Sequence, residues 1–341
     1  MSTPDSQHSR LLVDIAETVG APSATAVLRE SHLDLPLQTS VRLRNVYQRI
    51  FSKDPRITKI AVISDPGDES VGYRIVQAKT KENDFSFECG RNCGNSMIAA
   101  ALIALRDRNR HLRQEGRHVR TVNLDTSLTS ELTLLSGSSP ECLRTDVDII
   151  SMHGMNPSDA LLKPGVPVCT VPSQDRVRIP FTALHVVNPY VIFSAAALGI
   201  RTHDELLTIE RSNPAMLDTL LQLRKRVIEC LSLTKNREFP KVALALCDED
   251  RISARTVYLG AWHRGLPLTA LITTAVASAI PGSVGFRKNP AMPLQIQTPQ
   301  ERITLRFGTN PVTGAIQQCL IPDRKAVFLG HEEFSLPADG R

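Results

Sequence analysis

The sequence predicts an α+β protein built from two similar β-rich halves, each holding one central apolar helix. Three observations lead there. The chain has 341 residues with 42% hydrophobic composition, enough material for two cores. Short β-type runs separated by turn residues recur on both sides of the middle. Two runs with no polar face, 96–105 and 269–279, are rich in Ala, Thr and Ser, the composition of a helix gripped closely by curved sheets.

Residues up to about Gly20 are polar and read as a flexible N-terminus, and 338–341 as a tail. Strands are predicted at Thr25–Leu28, Ile60–Ile63, Tyr73–Ala78, Thr121–Leu124 and Leu132–Leu135, broken by Asp65-Pro66-Gly67-Asp68 and Ser136-Gly137-Ser138-Ser139-Pro140. A helix near 94–107 completes the first domain, 21–170, and the Pro-, Gly- and Ser-rich stretch Ser151–Pro172 is the expected hinge. The second domain, 171–337, repeats the order. A strand at Val186–Phe193 precedes an amphipathic helix at Pro214–Leu233, where Leu217, Leu220, Leu221, Leu223 and Val227 recur at helical spacing. Strands at Val242–Leu246 and Thr256–Leu259 lead to a helix near 268–280, stopped by Pro281-Gly282. Strands at Ile303–Phe307 and Ala326–Leu329 follow, and the final ones can return to the first domain. No sequence repeat accompanies this coarse symmetry.

Charge and cysteine usage narrow the function. The formal charge of +5 arises from 40 basic and 35 acidic residues scattered along the chain, and aromatics are 4%, so no basic and aromatic block exists for nucleic acid. A mild basic excess suits an anionic small molecule. Seven cysteines without a Cys-x-x-Cys pair read as reduced thiols, and the Cys89/Cys93 pair has no answering pair for zinc. No metal and no cofactor are expected. The N-terminus carries no hydrophobic signal core and the longest apolar run is too short to span a bilayer, so the reading is a cytoplasmic protein with no membrane partner. A homodimer is left open.

The most informative stretch is Glu88-Cys89-Gly90-Arg91-Asn92-Cys93-Gly94-Asn95, followed at once by the apolar run. An Asn-Cys-Gly-Asn turn at a helix start holds a thiol where unpaired N–H groups and the macrodipole favour an anion. A cysteine becomes a usable acid or base in that setting. The plainer alternative is a structural turn with an inert Cys.

These residues carry a family resemblance. Thr58-Lys59-Ile60-Ala61-Val62-Ile63-Ser64, Asn92-Cys93-Gly94-Asn95, Asp159-Ala160-Leu161-Leu162-Lys163-Pro164-Gly165, Val187-Asn188-Pro189-Tyr190-Val191, and His263 to Thr269 with Ala277 to Val284 follow one another in the order of matching family segments. The chain thus resembles the PrpF family of 2-methylaconitate cis-trans isomerases, as a divergent member. The resemblance implies the diaminopimelate-epimerase-like fold, with two barrel-like domains, each around a central helix, and an active site in the interdomain cleft. It implies Cys93 and Lys59 as the acid–base pair of a cofactor-independent isomerase acting on an unsaturated carboxylic acid or related carbonyl compound. Backbone N–H groups of Gly94 and Asn95 would stabilise an enolate-like anion, as would a second pocket at Leu268-Thr269. Asn92 and Asn95 can cap the helix, bind substrate, or do both, and Asn188 can be a turn residue or a ligand. His263 can cap its turn or donate to a substrate oxygen. His185, Cys89 and Thr269 are second-line candidates. The plainer alternative for Lys59 is a solvated lysine at a strand end.

Pro267-Leu268-Thr269 stands where a two-thiol racemase has its second cysteine, which disfavours an amino-acid epimerase. The family's first anion-binding loop reads Leu28-Arg29-Glu30-Ser31-His32-Leu33-Asp34 here, leaving Arg29 as its surviving carboxylate ligand. Two further anion-binding loops are altered at Phe51 to Thr58 and at Thr298-Pro299-Gln300-Glu301. A larger or less charged substrate, as in specialised metabolism, fits these changes. A cyclase or lyase using the same pair, or a non-catalytic binding protein, are the alternatives.

Overall fold

The computed structural model describes residues 10–32, 41–54, 57–64, 70–81, 84–90, 92–106, 114–233, 239–248, 251–258, 260–287 and 293–335. The chain divides into two compact units, 1–147 with 323–341, and 148–322. The division falls near Asp148, upstream of the expected break at 170, and the chain end belongs to the first unit. The tail 338–341 and residues 1–9 lie outside the described residues.

The first unit contains β1 (Arg10–Thr18), β2 (Ala24–Arg29), α1 (Val41–Lys53), β3 (Ile57–Ser64), β4 (Ser70–Lys81), β5 (Asp84–Glu88), α2 (Gly94–Arg106), β6 (His118–Asn123), β7 (Thr129–Leu134) and β8 (Cys142–Asp148). The segment read as a flexible N-terminus is instead the strand β1 from Arg10 onward, a correction with a clear cause. Leu11, Val13 and Ile15 alternate into the core, and β1 pairs with β2 and with the last strand of the chain. Between them Leu12 is apolar and Asp14 charged, which blurs that period. Asp14 is buried and takes Arg29 at 2.8 Å and Arg106 at 3.4 Å. Asp14→Ala leaves both cations without this partner and is expected to cost about 2 kcal/mol, read by urea unfolding.

Register separates the two faces of this sheet. Ala24, Ala26, Leu28, Ile60, Val62 and Val76 form one cluster with Val46, Tyr47, Ile50 and Phe51 of α1. The intervening residues, Thr25 and Val27 on β2, Lys59 and Ala61 on β3, and Ile75 and Gln77 on β4, point to the opposite face, and α2 packs against β1 to β4. From Ser96 to Leu105 the helix is buried at nearly every position, and its alanines let the strands approach closely.

The second unit contains β9 (Cys169–Pro172), β10 (Arg178–His185), β11 (Pro189–Ser194), α3 (His203–Leu207), α4 (Ile209–Ser212), α5 (Met216–Cys230), β12 (Lys241–Cys247), β13 (Ile252–Tyr258), β14 (Ala261–Trp262), α6 (Leu268–Ser278), β15 (Leu294–Gln297) and β16 (Arg302–Thr309). The start of β17 (Ile316–Ser335) pairs with β16, and its remainder pairs with β1. The strand expected at Val186–Phe193 is present from Pro189 as β11, while residues 186–188 form the turn of a hairpin with β10 in which His185 lies opposite Pro189. Asn188-Pro189 favours a turn there.

The two units share one topology. The pairs β1–β2, β2–β3, β3–β4 and β4–β6 run antiparallel, parallel, antiparallel and parallel. So do β10–β11, β11–β12, β12–β13 and β13–β15. In each unit an amphipathic helix covers one sheet face and an apolar helix the other. β3 and β12 hold equivalent places in this strand order, and Lys59-Ile60-Ala61-Val62 on one resembles Lys241-Val242-Ala243-Leu244 on the other, a four-residue echo within the coarse symmetry.

Candidate active site

The turn before α2 begins with Gly90 at φ +74°, a left-handed conformation that glycine adopts without strain, and its N–H donates to Asp125 Oδ2 at 3.3 Å. Asp125 is in turn ion-paired with Arg74. Asn92 is buried, and its amide oxygen accepts from Asn123 Nδ2 at 3.0 Å and from Thr126 Oγ1 at 2.6 Å. Asn92 therefore anchors the turn to the end of β6. Cys93 stands immediately before the first helical residue, and its carbonyl accepts the N–H of Met97 at 2.9 Å, the first bond of the helix.

Cys93 is half-buried. Ser96 Oγ donates to its sulfur at 3.3 Å and lies 3.1 Å from Thr25 Oγ1. Burial pushes the thiol up. The charge of Lys59, hydrogen bonds from the Ser96 hydroxyl and N–H, and a hydrogen bond from Lys59 outweigh it, lowering the pKa to about 7. Lys59 is half-buried and pairs across the sheet with Thr25 on one side and Gln77 on the other. Tyr73 is buried near the thiol. Burial first, then the charge of Cys93, raises its pKa, so the phenol stays protonated.

The remaining thiols differ. Burial pushes Cys247 and Cys319 up to about 12. Iodoacetamide at pH 7.5 is expected to alkylate Cys93 at least ~100-fold faster than either, as read by peptide mass spectrometry. Equal rates would contradict a thiolate at Cys93.

Gly94 and Asn95 open α2, where the first N–H groups lack intrahelical partners, and the Asn95 carbonyl accepts Thr18 Oγ1 at 2.7 Å. Arg29 is not brought to this end. Its guanidinium is held by Asp14, which also binds Arg106, the last residue of α2, about 20 Å along the helix from Cys93. The expected carboxylate ligand is thus part of a structural ion cluster. Cys89 is exposed.

In the second unit, Thr269 lies in the first turn of α6 with its hydroxyl 3.0 Å from Tyr190 OH. Pro267 precedes the helix without a side-chain cap. Asn188 is buried in the hairpin turn, and His185 is exposed. His263 Nδ1 accepts the Gly265 N–H at 3.2 Å, which shapes the turn before α6. Lys241 opens β12, the strand that corresponds to β3 in the order of pairings, and lies 5.9 Å from the Tyr190 ring centroid. Thr25, Ser96, Tyr73 and Lys241 escaped the sequence reading. The Lys-Ile-Ala-Val and Lys-Val-Ala-Leu echo is the signal that finds the last of them.

No family model matches the chain, and no curated protein matches it. Solved structures do. A methylitaconate-delta-isomerase superposes with TM-score 0.69 at 18% identity, over 98% of each chain. The chain has the diaminopimelate-epimerase-like fold. A hydroxyproline epimerase from Agrobacterium vitis with bound trans-4-hydroxy-L-proline and a probable proline racemase from Agrobacterium radiobacter with bound carbonate each superpose with TM-score 0.56 at 11% identity, over 96% of this chain and 93% of theirs. Among the described residues no helix is long and apolar enough to cross a membrane.

Proposed function

We propose that the chain is a cofactor-independent isomerase that moves or inverts a double bond in an unsaturated carboxylic acid or related carbonyl compound, with Cys93 and Lys59 carrying the proton. The observation that supports this most is the depressed thiol of Cys93 at the helix start, hydrogen-bonded by Lys59. The fold shared with methylitaconate-delta-isomerase adds to it.

The chemistry balances with these two groups. The Cys93 thiolate removes a proton from the carbon next to the conjugated system, and the electron pair moves onto the carbonyl oxygen as an enolate. N–H groups of Gly94 and Asn95 stabilise that oxygen. The Lys59 ammonium returns a proton at the same carbon after rotation, or at the allylic carbon. The proton on Cys93 then passes to the Lys59 amine through their hydrogen bond, restoring thiolate and ammonium. A thiol titrating near 7 suits proton transfer at neutral pH. Free thiols throughout suit a reducing compartment such as the cytoplasm.

The test is incubation of the protein in D2O with a panel of unsaturated mono- and dicarboxylic acids, methylitaconate first, followed by proton NMR. Isomerised acid carrying solvent deuterium supports the proposal. Turnover with no exchange in any acid of the panel, or no turnover of any, would count against it.

A further inference from the structure

We propose that Thr25 and Ser96 form a directed hydroxyl relay that positions the Cys93 sulfur as a proton acceptor. The inference rests on the reading of Cys93 as the proton carrier and names residues that act through it. Each hydroxyl has one proton to give. Ser96 spends its proton on the sulfur at 3.3 Å, so in the 3.1 Å contact with Thr25 the donor is Thr25. Both side chains are buried, Ser96 at 0% and Thr25 at 3% exposure, so water does not compete for these protons. The direction of the chain, Thr25 to Ser96 to Cys93, delivers an O–H to the sulfur, which favours the thiolate over the thiol.

The backbone explains why the relay is fixed. Ser96 is the third residue of α2, so its N–H also reaches the sulfur of the residue before the helix, the arrangement in which a capping side chain accepts from the third helical N–H. Thr25 is held by the β2–β3 register opposite Lys59. One strand pair thus delivers the cation and the hydroxyl on the same face, toward the start of α2. The groups around Cys93 from the elements packed on α2 are Thr18 on β1, Thr25 on β2, Lys59 on β3, and Tyr73 with Gln77 on β4. Lys59 and Tyr73 are the titratable ones. Asp14 and Arg29, also on β1 and β2, belong to the ion cluster at the other end of the helix.

The experiment is the pH dependence of iodoacetamide alkylation, read at the Cys93 peptide by mass spectrometry, which needs no substrate. The wild type is expected to show a midpoint near 7. Ser96→Ala moves it up by about one pH unit and Thr25→Val by less, whereas Thr25→Ser returns it to the wild-type value. Near-UV circular dichroism identifies any variant that has lost its fold, and the Thr25 pair then carries the comparison. Wild-type midpoints in Ser96→Ala and Thr25→Val overturn the relay while leaving Cys93 and Lys59 as the pair. A wild-type midpoint at the ordinary cysteine value overturns both readings.

Discussion

Cys93→Ser is expected to reduce solvent-deuterium exchange into an unsaturated acid by about 10³-fold or more, without loss of fold. Serine nearly preserves the shape of the helix start, and its oxygen accepts the same first-turn hydrogen bonds. What it removes is acidity. A hydroxyl in this setting stays protonated at neutral pH, so the base that takes the substrate proton is lost. Binding of the acid, followed by calorimetry or ligand-observed NMR, is expected to survive. A variant that binds and also exchanges at the wild-type rate would remove Cys93 from the chemistry.

Lys59→Met is expected to lower the same exchange by about 10²-fold to 10³-fold. Two effects combine in it. The proton donor disappears, and with it the charge that does most to hold the Cys93 thiol down against burial. The thiol then titrates well above 7, and the acid limb of the pH–rate profile moves up with it. The sign follows from linkage: the folded thiol titrates below its ordinary 9.0, so between 7 and 9 the unfolded chain binds more protons than the folded one. The stability this group contributes is complete above that window and is lost as pH falls through about 7. In Lys59→Met this pH dependence flattens. An unchanged profile in the variant would mean that Lys59 is the solvated lysine of the plainer reading.

The helix α2 and its thiol were legible because the information is local. An apolar run without a polar face and the turn residues before it lie within one short stretch. The relay was not legible, because Thr25 and Ser96 lie 71 positions apart and meet only through the register of β2 and the packing of α2. Arg29 shows the same limit from the other side. It shares a strand face with Thr25, yet four residues of strand carry it about 13 Å away, to the end of the helix where Asp14 and Arg106 sit. The family resemblance placed it at the site, and strand geometry removed it. The helix α1 escaped notice because arginines and polar residues separate its stripe of Val46, Tyr47, Ile50 and Phe51. Strand β1 was obscured likewise by Asp14, whose burial depends on two distant arginines.

Titrating the alkylation rate of Cys93 against pH in the wild type and in Lys59→Met addresses the pairing of thiolate and ammonium most directly. A wild-type midpoint near 7 that rises toward the ordinary cysteine value once the lysine is gone is the expected result. Coincident midpoints in the two proteins would contradict it.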